Sequence, residues 1–277
     1  MALTLKSSFK LNNGVEMPAF GLGTYKMTDE YKARRAFEHA IDLGYRHFDT
    51  ASLYDNEKLL GEAIRTSGLP RGEFFITSKL WNDDQGYENT KRAFSHSNDL
   101  LGLDYIDLYL IHWPVPRYRL ESWKALEEIH MEGNARAIGV SNYMVLHLDE
   151  LLERCNVQPA VNQIELHPWN YGARKAVVDL CKQNEIVVTA YCPLTRGIKL
   201  NDPTLESISK KYKKSPAQVL IRWGLQKEIC EIPKSANPKR IVENAEIFDF
   251  TIEDEDMEII ESWNENLCVS WNPEKAL

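Results

Sequence analysis

The chain has 277 residues, 43% of them hydrophobic and 27% charged, a composition typical of a globular protein with a substantial core and unlike that of a disordered chain. Asp and Glu (41) outnumber Lys and Arg (33), so the formal net charge is −8, which argues against a broad nucleic-acid-binding surface. The first residues lack the apolar region of a signal peptide and no run of about 18 apolar residues occurs, so we expect a cytoplasmic protein that does not bind membranes.

The sequence contains no pattern typical of a metal site or of disulfide bonds. The five cysteines are far apart and include no CxxC pair, and the histidines include no HExxH motif. These patterns predict reduced structural thiols and no metal site.

The first predicted element is a β-hairpin, because Asn12-Asn13-Gly14 separates two short alternating runs at residues 7–11 and 15–18. Eight more strands are predicted at residues 19–22, 47–49, 74–79, 105–112, 135–141, 160–165, 186–191 and 229–232. Amphipathic helical patterns alternate with them at residues 30–43, 56–65, 90–101, 120–131, 145–155, 173–184, 204–212 and 215–226. A last helix is predicted at residues 253–264, followed by an irregular tail at 265–277.

This alternation predicts the fold class. Strands that alternate with helices are typically parallel and joined by right-handed crossovers, and eight repeats favour closure into a barrel. We therefore expect an α/β protein, a (β/α)8 TIM barrel with an N-terminal β-hairpin, in which residues 1–277 form a single domain.

Four residues that can do acid/base chemistry lie at or just after strand ends. Asp49, Lys79 and His112 end three predicted strands, and Tyr54 follows Asp49 closely. In a parallel barrel the strand ends meet on one face, where active sites are built. A free phenol with a pKa of about 10 is a weak acid, so we expect the Lys79 ammonium, held by Asp49, to lower the pKa of Tyr54, while His112 polarises a carbonyl oxygen.

Other strand ends predict a binding site for a hydride donor, because no activated nucleophile accompanies these four residues. Ser141, Asn142, Gln163 and Tyr191 offer hydrogen bonds and an aromatic face that suit a nicotinamide. The segment from Ile232 to Arg240 places cations and short polar side chains before a helix, a pattern that favours phosphate binding.

With these motifs, the chain resembles the aldo-keto reductases over nearly its whole length. FDTASLYDNE, SKLW, LIHWP, IGVSN, NQIELHP, YCPL and IPKS match family motifs in order, and the likeness is greatest to short members such as diketogluconate reductases, methylglyoxal reductases and prostaglandin F synthases. The resemblance implies NADPH as cofactor and reversible carbonyl reduction. GLGT at residues 21–24 is not a Rossmann motif, since the third glycine is missing.

The resemblance also implies roles for individual residues. Tyr54 would be the general acid, tuned by Lys79 and Asp49, with His112 orienting the substrate carbonyl. Ser141, Asn142 and Gln163 would bind the carboxamide, with Tyr191 beneath the ring. The remaining cofactor residues would be Leu194, then Lys234, Ser235, Asn237 and Arg240 around the 2'-phosphate, and Glu243 and Asn244 near the adenine. The substrate pocket would be lined by Tyr25, Trp81 and Trp113.

Some segments depart from the family pattern, so the sequence does not predict which carbonyl compound is the substrate. Tyr25 replaces a common Trp, and the tail at residues 268–271 does not follow the usual ending of short members. Trp271 either folds back toward the barrel mouth or anchors a surface tail. Residues 114–118 and 194–203 are short, so we expect an open site and no long clasp over the pyrophosphate; Arg196 either contributes there or faces solvent.

Two other functions are compatible with parts of the pattern. An NADPH-binding regulatory subunit of the same fold would not turn over repeatedly with an aldehyde. A Schiff-base aldolase would need a neutral Lys79, which pairing with Asp49 disfavours, and borohydride would trap its substrate on that lysine. The expected partner is a small-molecule carbonyl, and we expect a monomer.

Overall fold

The computed structural model describes residues 3–275. Two strands, β1 (Ser8–Lys10) and β2 (Glu16–Pro18), pair antiparallel, and Gly14 takes the positive φ of 85° that the turn between them requires. The predicted N-terminal hairpin is confirmed.

Eight parallel strands follow within the described residues and form a nearly closed barrel in sequence order. Neighbouring strands pair parallel from β3 through β10. Single bridges, Phe20 to Glu231 and Gly23 to Lys234, bring the first of these strands against the last. The strands are β3 (Gly21–Gly23), β4 (His47–Asp49), β5 (Phe75–Leu80), β6 (Ile106–Ile111), β7 (Ala135–Ser141), β8 (Val161–Glu165), β9 (Val187–Tyr191) and β10 (Cys230–Glu231).

Helices connect the strands, as the alternating pattern predicts. They are α1 (Glu30–Asp42), α2 (Glu57–Thr66), α3 (Tyr87–Leu101), α4 (Arg119–Met131), α5 (Val145–Leu152), α6 (Pro168–Gln183), α7 (Pro203–Tyr212), α8 (Pro216–Gln226), α9 (Pro238–Ala245) and α10 (Asp254–Glu261). The errors of prediction are at helix ends: α3 begins at residue 87 rather than 90 and α6 at 168 rather than 173, while α5 ends at 152 rather than 155 and α10 at 261 rather than 264. Pro168 is tolerated in the first turn because its missing N–H would have no helical partner there.

Apolar side chains pack in two layers. Inside the barrel, Leu108 and Leu110 of β6 pack with Phe75 of β5 and Met17 of the hairpin. The outward-facing side chains of the strands join the helices in a larger cluster that includes Phe37, Trp123 and Trp223. Alternation along β6 divides the two layers, because neighbouring residues of a strand point to opposite faces.

The hairpin lies at the end of the barrel where the strands begin. Asn12 Nδ2 donates to Pro159 O at 3.0 Å, and Asn13 Nδ2 donates to Arg136 O at 2.9 Å. Both acceptors stand near the starts of strands β8 and β7. The hairpin therefore covers one end, and the strand C-termini meet at the other.

Within residues 3–275, no helix is both long and apolar enough to cross a bilayer.

Candidate functional site

A buried ion pair lies at the C-terminal ends of β4 and β5. Lys79 Nζ donates to Asp49 Oδ1 at 2.6 Å and to Thr50 O at 2.7 Å, and neither charged side chain has more than 3% of its surface exposed. Burial lowers the pKa of Lys79, and the charge of Asp49 offsets part of that effect. A buried ammonium needs such partners, because an unpaired buried charge is very costly.

Tyr54 is held next to this pair by a short 3-10 turn, Ser52–Tyr54. Ser52 Oγ donates to Lys79 O at 3.0 Å, and the Tyr54 hydroxyl lies 3.4 Å from Lys79 Nζ. Burial and the negative charge of Asp49 raise the pKa of Tyr54 well above 10. The sequence-based expectation that Lys79 lowers this pKa is wrong, because burial of the phenol, together with the charge of Asp49, outweighs the nearby ammonium.

His112 follows β6 and faces both Tyr54 and Trp81. Its ring centroid lies 5.8 Å from that of Tyr54 and 5.2 Å from that of Trp81, in edge-to-face arrangements. Burial lowers the pKa of His112 well below its ordinary value, and the charge of Lys79 adds to this. The imidazole is therefore neutral near pH 7 and can donate one hydrogen bond without carrying charge.

A second set of strand ends is joined to the first through Asp49. Gln163 Nε2 donates to Asp49 Oδ2 at 2.7 Å, while Gln163 O accepts from Ser141 Oγ at 2.8 Å. Asn142 Nδ2 donates to His112 O at 2.9 Å, and Asn142 Oδ1 accepts from the Tyr191 hydroxyl at 2.8 Å. The predicted acid/base residues and the predicted amide-binding residues thus form one hydrogen-bonded network.

Asn56, which the sequence analysis did not single out, fixes the loops of this site. Its buried Oδ1 accepts from Thr50 Oγ1 at 2.6 Å, and its Nδ2 donates to Thr24 O at 2.9 Å. The residue therefore ties the loop that carries Tyr54 to the loop that carries Tyr25. The available signal was its place in the YDNE stretch directly after Tyr54.

Cations collect where β10 leads into α9. Lys234 forms the closing bridge of the barrel with Gly23, and its pKa is lowered by partial burial and by the nearby charge of Lys26. The start of α9 is capped by Asn237, whose Oδ1 accepts from Lys239 N at 3.0 Å. Arg240 is exposed in the first turn. Bringing like charges to a helix N-terminus makes a site that favours anions.

The other predicted residues of this end lie on neighbouring elements. Ser235 is buried and its Oγ accepts from Asn237 N at 3.1 Å. Glu243 and Asn244 belong to α9, where Asn244 is buried. Leu194 leads into the short 3-10 turn Thr195–Gly197, which agrees with the prediction of a short segment after β9. Lys26 was missed, because a lone lysine in a loop matches no motif.

Aromatic rings surround the open side of the acid/base residues. Tyr25 lies 5.1 Å from Tyr54 between ring centroids. Trp271 of the tail lies 5.7 Å from Trp113 and 6.3 Å from Trp81. The tail therefore folds back to the barrel mouth, which decides between the two interpretations of Trp271. Tyr25 and Trp271 remain 41% and 64% exposed, so the site is open.

These features can hold a dinucleotide and a carbonyl. Amide groups and an aromatic ring lie at one end, cations and a helix N-terminus at the other, and both ends belong to the face formed by the strand C-termini. Among residues 3–275, no group of three or more His, Cys, Asp or Glu could hold a metal ion.

Comparison with known proteins agrees with this arrangement. The model of the aldo/keto reductase family matches residues 19–265. Glyoxal reductase of Bacillus subtilis (strain 168) is 47% identical over 277 residues, which cover 100% of both chains.

Solved structures show the same barrel. An aldo-keto reductase from a Medee basin deep-sea metagenome library is 47% identical, with a TM-score of 0.91 over 94% of this chain and 96% of that one. A Bombyx mori aldo-keto reductase in complex with NADP is 34% identical, with a TM-score of 0.90 over 98% and 97%. The chain therefore belongs to the aldo/keto reductase family of NADP-dependent oxidoreductases, which reduce carbonyl groups.

Proposed function

We propose that the protein reduces aldehydes or ketones to alcohols with NADPH, and that Tyr54 is the general acid. One observation carries this proposal: the Tyr54 hydroxyl stands 3.4 Å from a fully buried ammonium that is itself held by Asp49 at 2.6 Å. When bound, NADPH supplies the hydride. The protein must then supply a proton to the oxygen that becomes negative, and it must hold the carbonyl in place.

The raised pKa of Tyr54 makes the phenol a weak acid that gives up its proton only to a strongly basic oxygen, such as the alkoxide that develops during reduction. The phenol stays protonated across the physiological range, so it is ready to donate before each reduction. As the proton leaves, the phenolate gains the attraction of Lys79 Nζ, which is already in place. Because Asp49 and Thr50 O hold the lysine, no large rearrangement is needed at that moment.

His112 is proposed to orient the carbonyl oxygen. A neutral imidazole can donate a hydrogen bond to that oxygen but does not compete with Tyr54 as the acid. Its ring lies between Tyr54 and Trp81, so a carbonyl held by His112 is also near the phenol. Ser141, Asn142, Gln163 and Tyr191 are proposed to hold the nicotinamide end beside it, by the network that includes Asp49.

Lys26, Lys234, Ser235, Asn237 and Arg240 are proposed to hold the phosphates. NADPH differs from NADH by a 2'-phosphate, and several cations near the start of α9 favour the more negative cofactor. Leu194, Glu243 and Asn244 are proposed to contact the rest of the dinucleotide, since they belong to the same face and to the helix that follows Lys234.

The substrate class is proposed from the site and from one relative. Tyr25, Trp81 and Trp113 offer apolar, aromatic surface around the acid, which favours neutral carbonyls with flat or compact apolar groups. The similarity to glyoxal reductase makes small dicarbonyls the second class to test.

The experiment is a multiple-turnover assay of NADPH oxidation with methylglyoxal, aromatic aldehydes, keto-sugar acids and quinones, with the alcohol product identified. We expect many turnovers per protein with at least one class. Binding of NADPH without turnover in all classes would favour the regulatory subunit instead. Trapping of a substrate on Lys79 with borohydride would favour a Schiff-base aldolase.

A further inference from the structure

Glu165, the last residue of β8, anchors the C-terminal tail. Its Oε1 accepts from the backbone N–H of Val269 at 2.7 Å, and its Oε2 accepts from the N–H of Ser270 at 2.8 Å. The Cys268 thiol donates to the same carboxylate at 3.4 Å. Two consecutive backbone N–H groups are thus fixed by one side chain of the barrel.

The carboxylate is suited to this task because it is buried and charged. Glu165 is only 3% exposed, and His167 Nε2 lies 3.1 Å from its Oε1. Burial by itself would raise the pKa of Glu165, but the hydrogen bonds from His167 and Val269 N lower it below its ordinary value. Hydrogen bonds to an ionised acceptor are stronger than those between neutral groups.

The anchored residues directly precede Trp271. This indole is 64% exposed, yet it lies against Trp81 and Trp113. Further along, Arg174 Nη1 bonds Glu274 Oε1 at 2.8 Å. The tail is therefore held on both sides of Trp271: Glu165 and Arg174 are both buried, but the ion pair of Arg174 reaches Glu274, whose side chain is 57% exposed.

We propose that Glu165 is a positioning residue for carbonyl reduction: by holding the N–H groups of residues 269 and 270, it keeps Trp271 at the barrel mouth as a wall of the substrate site. The inference rests on the proposed function, and it assigns to Glu165 no contact with substrate. The expected effect of the anchor depends on substrate size, because only substrates large enough to contact Trp271 bind better when Trp271 is held in place.

The test compares Glu165→Gln with a matched control. Glu127 of α4 is also a buried carboxylate that accepts two consecutive backbone N–H groups, from Asn156 at 2.6 Å and Val157 at 2.8 Å, but these residues precede β8 at the opposite end of the barrel. Both N–H groups at Glu127 bind Oε1, so Glu127→Gln can keep them and the amide NH2 replaces only Oε2, which accepts from Asn156 Nδ2 at 3.2 Å. In Glu165→Gln the NH2 must face one of the two backbone N–H groups, because each carboxylate oxygen accepts one of them. The two variants are matched in the loss of a buried charge, and they differ in place and in whether a backbone N–H loses its acceptor.

For Glu165→Gln we expect the KM for an aromatic aldehyde such as nitrobenzaldehyde to rise about three- to tenfold, as for loss of one aromatic contact. The kcat, the KM for glyoxal and the Kd for NADPH should stay near those of the wild type. Glu127→Gln should leave all of them unchanged. Trp271→Ala should reproduce the effect, and the double variant of Glu165→Gln and Trp271→Ala should be no worse than either single one.

A second readout does not depend on activity. Indoles about 6 Å apart couple in near-ultraviolet circular dichroism, so a Trp271→Phe variant gives the signal that Trp271 contributes. Glu165→Gln should lose that signal and Glu127→Gln should keep it. If Glu165→Gln proves too unstable, Val269→Pro removes one of the anchored N–H groups from the tail instead.

Three outcomes would each overturn the proposal that Glu165 anchors Trp271. Glu165→Gln could leave the dichroism signal unchanged, it could raise the KM for glyoxal as much as that for the aromatic aldehyde, or its effect could multiply with that of Trp271→Ala in the double variant. Absence of NADPH turnover in the wild type would instead overturn the proposed function, and the dichroism result would still decide whether Glu165 holds Trp271.

Discussion

Asp49 connects the two halves of the candidate site. One carboxylate oxygen accepts from Lys79 at 2.6 Å and the other from Gln163 at 2.7 Å. A substitution at Asp49 would therefore disturb both the charge beside Tyr54 and the proposed nicotinamide platform. The Tyr54 hydroxyl contacts Lys79 Nζ at 3.4 Å, and its removal leaves the bonds of Asp49 in place, so its role can be tested with less disturbance.

Replacement of Tyr54 by Phe should lower kcat about 10²- to 10⁴-fold, because only the proton donor is removed. The Kd for NADPH, measured by fluorescence titration, should change little. Lys79→Met should be similarly damaging. Tyr31→Phe, which removes an exposed hydroxyl on α1, is the matched control, and turnover of Tyr54→Phe close to that of the wild type would remove Tyr54 from the mechanism.

Glu231 is a buried acid that the proposed mechanism does not use. It is 1% exposed, and among the described residues its Oε2 has no hydrogen-bond partner. Burial raises its pKa well above 4.5. When folding raises the pKa of an acid, that acid does not lower the free energy of unfolding at pH values below its unfolded-state pKa. As the pH rises from the unfolded-state pKa toward the folded-state pKa, the free energy of unfolding falls steadily.

We therefore expect Glu231→Gln to stabilise the protein more at pH 8 than at pH 5. The gain should appear as a higher Tm by differential scanning calorimetry, at about 2–4 °C for each kcal/mol. Glu228→Gln, in an exposed pair with Lys182, should show no such pH-dependent gain. A gain that is equal at both pH values would mean that ionisation of Glu231 does not limit stability.

At the scale of elements, the start of α9 carries the cations that we propose bind the phosphate end of the cofactor. Asn237 caps the helix and Pro238 occupies its first turn, so the helix begins close to Lys234 and presents Arg240 in its first turns. Free backbone N–H groups at this end favour anions, and the cations add to that preference. The arrangement supports discrimination between NADPH and NADH.

Arg240→Ala should weaken NADPH binding about tenfold, because a charge-assisted hydrogen bond contributes about 1.5–3 kcal/mol. The Kd for NADH, which lacks the 2'-phosphate, should change much less. Lys239→Ala removes a neighbouring exposed charge and serves as the matched control. Equal weakening of both cofactors, by isothermal titration, would show that Arg240 does not recognise the 2'-phosphate.

At the scale of the whole molecule, closure of the barrel depends on a close approach of β3 to β10. Gly23 N donates to Pro233 O at 3.2 Å. A Cβ at Gly23 would come within 2.7 Å of the backbone oxygen of Ile232, which cannot move without shifting β10. The glycine is thus required by packing rather than by its φ angle.

Gly23→Ala should lower the free energy of unfolding by about 1–3 kcal/mol, as expected for overpacking. Urea denaturation followed by circular dichroism would measure this. Gly72→Ala, where a Cβ would meet nothing within 4 Å, should change stability by less than about 0.5 kcal/mol. Equal effects of the two substitutions would mean that β3 and β10 can separate without loss of stability.

The sequence by itself determined the repeated strand and helix order, the hairpin, and the strand-end positions of Asp49, Lys79 and His112. These follow from local apolar periodicity, because a parallel barrel brings all strand C-termini to one face. The network among these residues is the consequence of that geometry.

Only the tertiary structure decided the contacts of Asn56, Lys26 and Glu165 and the place of Trp271. Their partners are distant in sequence, as with Glu165 and residues 269 and 270, and no local pattern encodes such a pairing. The raised pKa of Tyr54 belongs here as well, since it depends on burial and on the balance between Asp49 and Lys79 in three dimensions.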